Sequence, residues 1–288
     1  MTKSHMDLVK ELREKTQVSL MDCRKALEEA QGDIEKAIEF LRKKGASVAA
    51  KRAENATDNG RIEAYVNEDF KHGSLVEVAC ETDFSANTNE MKEFAIHAAK
   101  LATQDSCSDV AQLLANHQEL SNHHNDILAK IAENIKIGAI KNFSVEKFGV
   151  VNAYIHPGST VGALIELETE NDSSAHVEEL KQLARDICMH IAVFKPLCIA
   201  PENLDQSLVE KERDIVKEQV AGSNKPANII EKMIAGKLSK YYQDVCLTQQ
   251  KFIKNEDVTV ERQLAEVGNK IKNSIKIKRF ARFMVGKK

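Results

Sequence analysis

The chain has 288 residues, enough for two or more domains with full cores. Hydrophobic residues make up 42% and charged residues 30%, with 4 Pro, 12 Gly and no Trp, a helix-rich globular composition that excludes a disordered chain. The formal net charge of -3 excludes a global field that would draw the protein to nucleic acid. Lys272, Lys276, Lys278, Arg279, Arg282, Lys287 and Lys288 do cluster near the C-terminus, but a solvated edge explains them as well as RNA contact does. No apolar run approaches the ~18 residues that span a membrane, and the opening residues carry no signal-peptide core. The six cysteines are scattered, four among apolar neighbours, as suits buried free thiols in a reducing cytosol. A cytoplasmic protein with no membrane contact is expected.

Residues 5 to 45 read as three short helices. Leu8 and Leu12 share one face with Met6 and Val9 beside them; Ser19 caps a helix with Leu20, Cys23, Leu27 and Ala30 at helical spacing. Gly32 ends that helix, Asp33 caps a third through Ile34, Ile38 and Leu41, and Gly45 closes the unit. Residues 46 to 58 lack an apolar stripe and read as a linker that lets the first unit reposition.

Residues 60 to 103 then align without a gap to residues 149 to 192, with thirteen identities in forty-four positions. Gly60, Ala64, Tyr65, Gly73, Leu75, Glu77, Glu81 and Asp83 meet Gly149, Ala153, Tyr154, Gly162, Leu164, Glu166, Glu170 and Asp172. Each copy reads strand, hairpin, strand, turn, helix, which predicts two subdomains on one β-β-α plan, packed on each other or on added helices. Val110, Leu113 and Leu114, then Ile127, Leu128, Ile131 and Ile135, mark helices between the copies, and residues 137 to 148 lead into a strand with Phe143, Val145 and Phe148. After the second copy, 206 to 221 and 226 to 242 form an antiparallel helical hairpin across the turn Gly222-Ser223-Asn224-Lys225. Residues 259 to 272 form an amphipathic helix, and 280 to 285 a final short strand.

The turn Glu81-Thr82-Asp83-Phe84-Ser85-Ala86 ends an alternating strand and precedes a helix beginning near Asn89 or Glu90. Asp83 could cap that helix with Phe84 folded back as a staple, or Phe84 could project outward from a surface turn. The repeat provides an internal control. Asp83 has its counterpart in Asp172, as a shared capping residue would, whereas Phe84 faces Ser173, so the shared framework does not require an aromatic there. That favours the exposed reading.

No phosphate-binding Gly-x-x-x-x-Gly-Lys-Ser/Thr loop, Gly-x-Gly-x-x-Gly turn or Gly-x-Ser-x-Gly elbow occurs, so no bound nucleotide or cofactor is expected. Cys107, His117, His123 and His124 could be drawn together as a zinc site, but their spacing fits no ligand pattern, so no metal is expected. An enzyme is not expected either.

Several stretches carry a resemblance. Leu8-Val9-Lys10-Glu11-Leu12-Arg13-Glu14-Lys15-Thr16, Met21-Asp22-Cys23-Arg24-Lys25-Ala26-Leu27 and Gly32-Asp33-Ile34 resemble the N-terminal domain of the elongation factor Ts family. Cys80-Glu81-Thr82-Asp83-Phe84 with Ala86 resembles the family's Thr-Asp-Phe-Val-Ala motif, and Glu133-Asn134-Ile135, Tyr154 with His156, Met189-His190-Ile191-Ala192, Lys195-Pro196 and Glu231-Lys232-Met233 match in order. The sequence departs from the family at Gln17, where Gly is usual, at Ser85, where Val is usual, and in lacking the extra C-terminal helix of some members.

The resemblance implies an α+β protein: a ubiquitin-associated-like three-helix bundle, two related β-β-α subdomains and an inserted helical hairpin. The expected division is 5–45, a linker 46–58, 59–148, then 149–200 with 247–288, and the hairpin 201–246. It implies a guanine-nucleotide exchange factor that binds elongation factor Tu, in GDP-bound and nucleotide-free forms, during translation elongation. Thr82, Asp83, Phe84 and Ser85 would enter near the partner's magnesium and phosphate site. Leu12, Leu20, Met21, Arg24, Ile135 and His156 would make secondary contacts, with Ile135 packed behind Phe84. The alternative is a ubiquitin-associated-like scaffold without exchange activity, for which Phe84 would be dispensable.

Overall fold

The computed structural model describes residues 4–16, 18–221 and 226–286. The expectations on Gln17, on the turn Gly222-Ser223-Asn224-Lys225, and on Lys287 and Lys288 lie outside the described residues.

The chain opens with α1 (His5–Thr16), α2 (Leu20–Glu29) and α3 (Ile34–Arg52). Both expected caps form: Ser19 Oγ accepts from the Asp22 N–H and the Asp33 carboxylate from the Lys36 N–H. Val9, Leu12, Cys23, Leu27 and Leu41 meet in a small core, whereas Met6 stays exposed.

The first β-β-α copy follows as β1 (Asn59–Val66), β2 (His72–Cys80), the one-turn α4 (Asp83–Ala86) and α5 (Asn89–Gln104). Next come α6 (Val110–Asn116), α7 (Gln118–Ile131) and β3 (Lys136–Ser144), and β3 pairs with β2 to give an antiparallel sheet in the order β1-β2-β3. The second copy comprises β4 (Gly149–Ile155), β5 (Val161–Thr169) and α8 (Val177–Phe194). The hairpin of α9 (Gln206–Ala221) and α10 (Ala227–Val245) follows, then a ribbon of β6 (Lys251–Phe252) and β7 (Asn255–Thr259), α11 (Val260–Ile271) and β8 (Ile275–Met284). β8 closes a second antiparallel sheet, β4-β5-β8.

The repeat survives in register and beyond the aligned residues. Ala64 opposes Leu75 as Ala153 opposes Leu164, and each central strand shifts register at one place, between Glu77 and Val78 and between Glu166 and Leu167. The third strand of each sheet carries too little sequence likeness to show in the alignment. β8 also begins at Ile275, earlier than the expected 280. Ile275 and Ile277 point into the core while Lys276 and Lys278 face water, so the basic run conceals a half-buried strand.

The two sheets pack face to face through Ile62, Leu75, Phe143, Val151 and Leu164. Gly73 and Gly162, equivalent in the repeat, allow that approach: a Cβ at Gly73 would lie 2.8 Å from Val151 Cγ1, and one at Gly162 2.7 Å from Ile62 Cγ2. α5 and α7 cover the outer face of the first sheet with Met91, Phe94, Ile127 and Leu128, and α8 and α11 cover the second with Leu180, Ile187, Ile191 and Leu264. The result is helices, sheet, sheet, helices, an α+β architecture as the sequence implied.

Gly45 does not end the third helix. α3 passes through it to Arg52, because Gly45 sits where α3 crosses α7, and a Cβ there would lie 2.7 Å from the Ala129 backbone. Arg42 grips Asp126 of α7 with two donors, at 2.6 and 3.0 Å, beside that crossing. Ala129 also joins the core of the three-helix unit, so in this structure the unit is docked on α7.

Candidate partner-binding site

The strand β2 delivers the chain to Glu81 and Thr82, and the turn that follows is built by its own hydroxyls. Thr82 Oγ1 accepts from the Ser85 N–H and caps α4; Thr88 Oγ1 accepts from the Met91 N–H and starts α5. The chain therefore makes two helix starts within seven residues, with Asp83 at neither cap. Asp172 does hold its own turn, accepting from the Ser174 N–H at 3.0 Å, so the equivalent aspartates differ in use. Among the described residues the Asp83 carboxylate receives no hydrogen bond or ion pair. Phe84 is 81% exposed and is no staple. The turn presents an unpaired carboxylate and a bare aromatic ring side by side.

What lies behind the ring is polar and closely tied. Glu133, in the loop between α7 and β3, accepts from Thr82 N–H at 3.2 Å, from Thr82 Oγ1 at 2.8 Å and from Ser85 Oγ at 2.7 Å. Ser85 is buried, and its hydroxyl is used in that contact. The next residue, Asn134, donates its N–H to Glu81 at 2.6 Å and its side-chain amide to the carbonyls of Ala53 and Asn55 just beyond α3. The Asn134 N–H, the Asn55 amide and the Arg52 guanidinium hold the Glu81 carboxyl below its usual range. Burial, with the Glu133 charge next, pushes the Cys80 thiol up to about 11, so at neutral pH it is a thiol that donates to the Thr82 carbonyl. Sequence reading missed Glu133 because its partners lie about fifty residues away; only its place beside Asn134 and Ile135 marked it.

The other expected contact residues divide by burial. Leu20 and Met21 stand exposed on α2, Met21 at 69%, with Arg24 on the same helix paired to Glu28 at 3.0 Å. His156 is exposed in the β4–β5 turn, where Tyr154 Oη lies 3.3 Å from its Nδ1. Leu12 and Ile135 are buried instead: Leu12 lies in the three-helix core and Ile135, past the end of α7, in the first subdomain core, so neither presents a surface to a partner in this structure. Arg61 links two of the exposed features. Its Nη1 donates to Ala86 O at 2.8 Å and its Nη2 to Glu63 and to Ser159 of the β4–β5 turn, in a nearly buried ion pair.

The residues considered for zinc take separate partners. His117 meets Asp105 at 2.8 Å, His123 meets His97, His124 donates to Ile135 O, and Cys107 donates to Asp109 O. Among the described residues no three His, Cys, Asp or Glu side chains are arranged to hold a metal, and no helix is long and apolar enough to cross a membrane.

Residues 81–287 match the family model described as elongation factor TS. The chain belongs to the elongation factor Ts family. Elongation factor Ts of Nautilia profundicola is 40% identical over 283 residues, covering 97% of this chain and 92% of that protein. Elongation factor Ts of Clostridium botulinum strain Alaska E43 is 39% identical over 282 residues, with 96% and 91% covered, and that of Clostridium acetobutylicum is 40% identical over 283 residues. Membership of the elongation factor Ts family makes this a protein of translation elongation. The family model begins at Glu81, the residue that leads into the turn carrying Phe84.

Proposed function

We propose that this protein is a guanine-nucleotide exchange factor that binds elongation factor Tu, in its GDP-bound and nucleotide-free forms, and releases GDP from it in the cytoplasm, without itself being a catalytic enzyme. The observation that carries the reading is the bare Phe84 ring beside the unpaired Asp83 on a braced turn. An aromatic ring left in water forgoes about 2 kcal/mol of burial, which a partner's apolar cleft would restore. Insertion of Asp83-Phe84 near the partner's phosphate and magnesium site would disfavour bound GDP. Linkage gives the mechanism its sign: a factor that binds nucleotide-free partner more tightly than the GDP form must weaken GDP by the same ratio.

Thr82 and Ser85 hold the turn, Leu20, Met21 and Arg24 offer a second contact from the three-helix unit, and His156 a third from the second subdomain. On this reading the bundle, the two subdomains and the hairpin act as separate contact modules of one extended interface. The test is release of labelled GDP from elongation factor Tu with wild type and with Phe84→Ala. Acceleration by wild type and its loss in the variant is expected. No acceleration by wild type would sink the exchange reading, and full activity in Phe84→Ala would leave exchange but remove the wedge.

A further inference from the structure

We infer that Glu133 is a positioning residue for exchange: its carboxylate holds the one-turn helix that presents Phe84, and through Asn134 it fastens that turn to the end of the three-helix unit. The inference rests on the exchange reading and goes beyond it by naming what fixes the wedge.

Three observations carry it. A four-residue helix has a single turn of backbone hydrogen bonds and does not hold an orientation unaided. Glu133 supplies what is missing, with three hydrogen bonds to both ends of the Thr82-x-x-Ser85 step, one of them to a backbone N–H. Hydrogen bonds to a charged acceptor are roughly twice as strong as neutral ones. The exposed Phe84 has no such restraint of its own, so the turn beneath sets its direction.

Glu133 and Asn134 also face opposite ways across the junction. Glu133 takes the turn, while Asn134 takes Glu81 and the carbonyls of Ala53 and Asn55, and Arg52 donates to Ala132 O. Two adjacent residues of one loop thereby fix the wedge relative to α3. Ser85 extends this bracing in a way that a valine at that position has no hydroxyl to provide.

The experiment is a double-mutant cycle in GDP release from elongation factor Tu, using full-length protein. Glu133→Ala alone is expected to lower the maximal catalysed rate about tenfold, with the concentration for half-maximal effect changed less than threefold. In a Phe84→Ala background the same change is expected to have no further effect, because Glu133 acts only through the ring. Glu133→Asp or Glu133→Gln, which keep an acceptor oxygen, should restore part of the rate. In the free protein, amide hydrogen exchange at 83–88 should quicken in Glu133→Ala while that of α8 stays unchanged, a readout that needs no partner. An equal loss from Glu133→Ala in both backgrounds, or a wild-type rate in Glu133→Ala, overturns the inference and leaves the exchange reading standing. Absence of acceleration by wild type removes the exchange reading, and the hydrogen-exchange result then decides the bracing alone.

Discussion

Glu166 meets Arg279 at 2.6 Å, whereas Glu77, its equivalent in the first sheet, opposes Ala139 where Arg279 stands in the second. Both carboxyls are pushed up, by burial first. Glu166 is almost wholly buried while Arg279 reaches water, so removal of the guanidinium leaves a buried charge without its partner. Arg279→Ala should cost about 2 kcal/mol, less than the 3–5 kcal/mol of a fully buried pair. Adding Glu166→Gln should recover part of it. Urea unfolding of the three variants measures both steps, and no recovery in the double variant would mean that packing on Phe143, over which Arg279 lies, is the larger loss.

Phe84→Ala should leave the folding free energy within about 0.5 kcal/mol, since the ring is in water already. Thr82→Ala, which removes a cap and a Glu133 contact, should cost about 1 kcal/mol. Thermal melts of both separate a contact residue from a framework residue in one turn. A large loss in Phe84→Ala would show that the ring packs on its own protein.

Leu12 and Met21 offer a paired test within the three-helix unit. Leu12→Ala opens a cavity in a core of few residues and should cost about 2–5 kcal/mol, enough to unfold the unit. Met21→Ala should leave stability within about 0.5 kcal/mol. Circular dichroism through a denaturant series distinguishes them, and equal sensitivity of the two would contradict their burial.

Gly45→Val places two methyl groups against the Ala129 backbone, so α3 must lift from α7. Overpacking of this kind costs about 1–3 kcal/mol. The visible outcome should be trypsin cleavage at Lys51 or Arg52 under conditions that leave wild type intact. Unaltered protection of that segment would place the docking energy elsewhere, in Arg42 and Asp126.

Acid should weaken the fold before the carboxylates titrate. Burial holds His123, His124 and His190 below their ordinary value of 6.5. His190 Nε2 donates to Gln250 and its Nδ1 accepts from the Ile253 N–H, an arrangement that requires neutral imidazole. Below pH 6.5 the unfolded chain binds protons that the folded one refuses, so stability present at pH 7 drains away as pH falls. The loss can reach about 1.4 kcal/mol per pH unit for each histidine that stays neutral in the fold. Denaturant titrations at pH 7, 6 and 5 measure it. A profile flat to pH 5 would mean that the folded histidines accept protons as readily as the unfolded ones.

Much of this was legible in the sequence, for physical reasons that differ by element. The repeat exposed both hairpins because strand pairing, tight glycines and helix packing constrain many residues at once. The contrast of Phe84 with Ser173 pointed to an exposed ring. Asp83 misled because an aspartate before a helix reads as a cap, while the threonines at 82 and 88 had the better reach. Gly45 misled because a glycine that ends a helix and one that admits a second helix look alike without the partner. Glu133 was hidden by distance along the chain. Hydrogen bonds that bridge about fifty residues leave no periodic trace, and the pairing of β3 with β2 and of β8 with β5, though not the strands themselves, was obscured for the same reason.

The late arrival of β8 has a consequence for biosynthesis. The first sheet closes once β3 emerges, but the edge of β5 waits roughly a hundred residues for β8. At 5–20 residues per second, that leaves an apolar strand edge unpaired on the ribosome for about 5–20 s. A helper in translation thus depends, for its own second half, on a nascent chain that neither aggregates nor pairs wrongly during that wait.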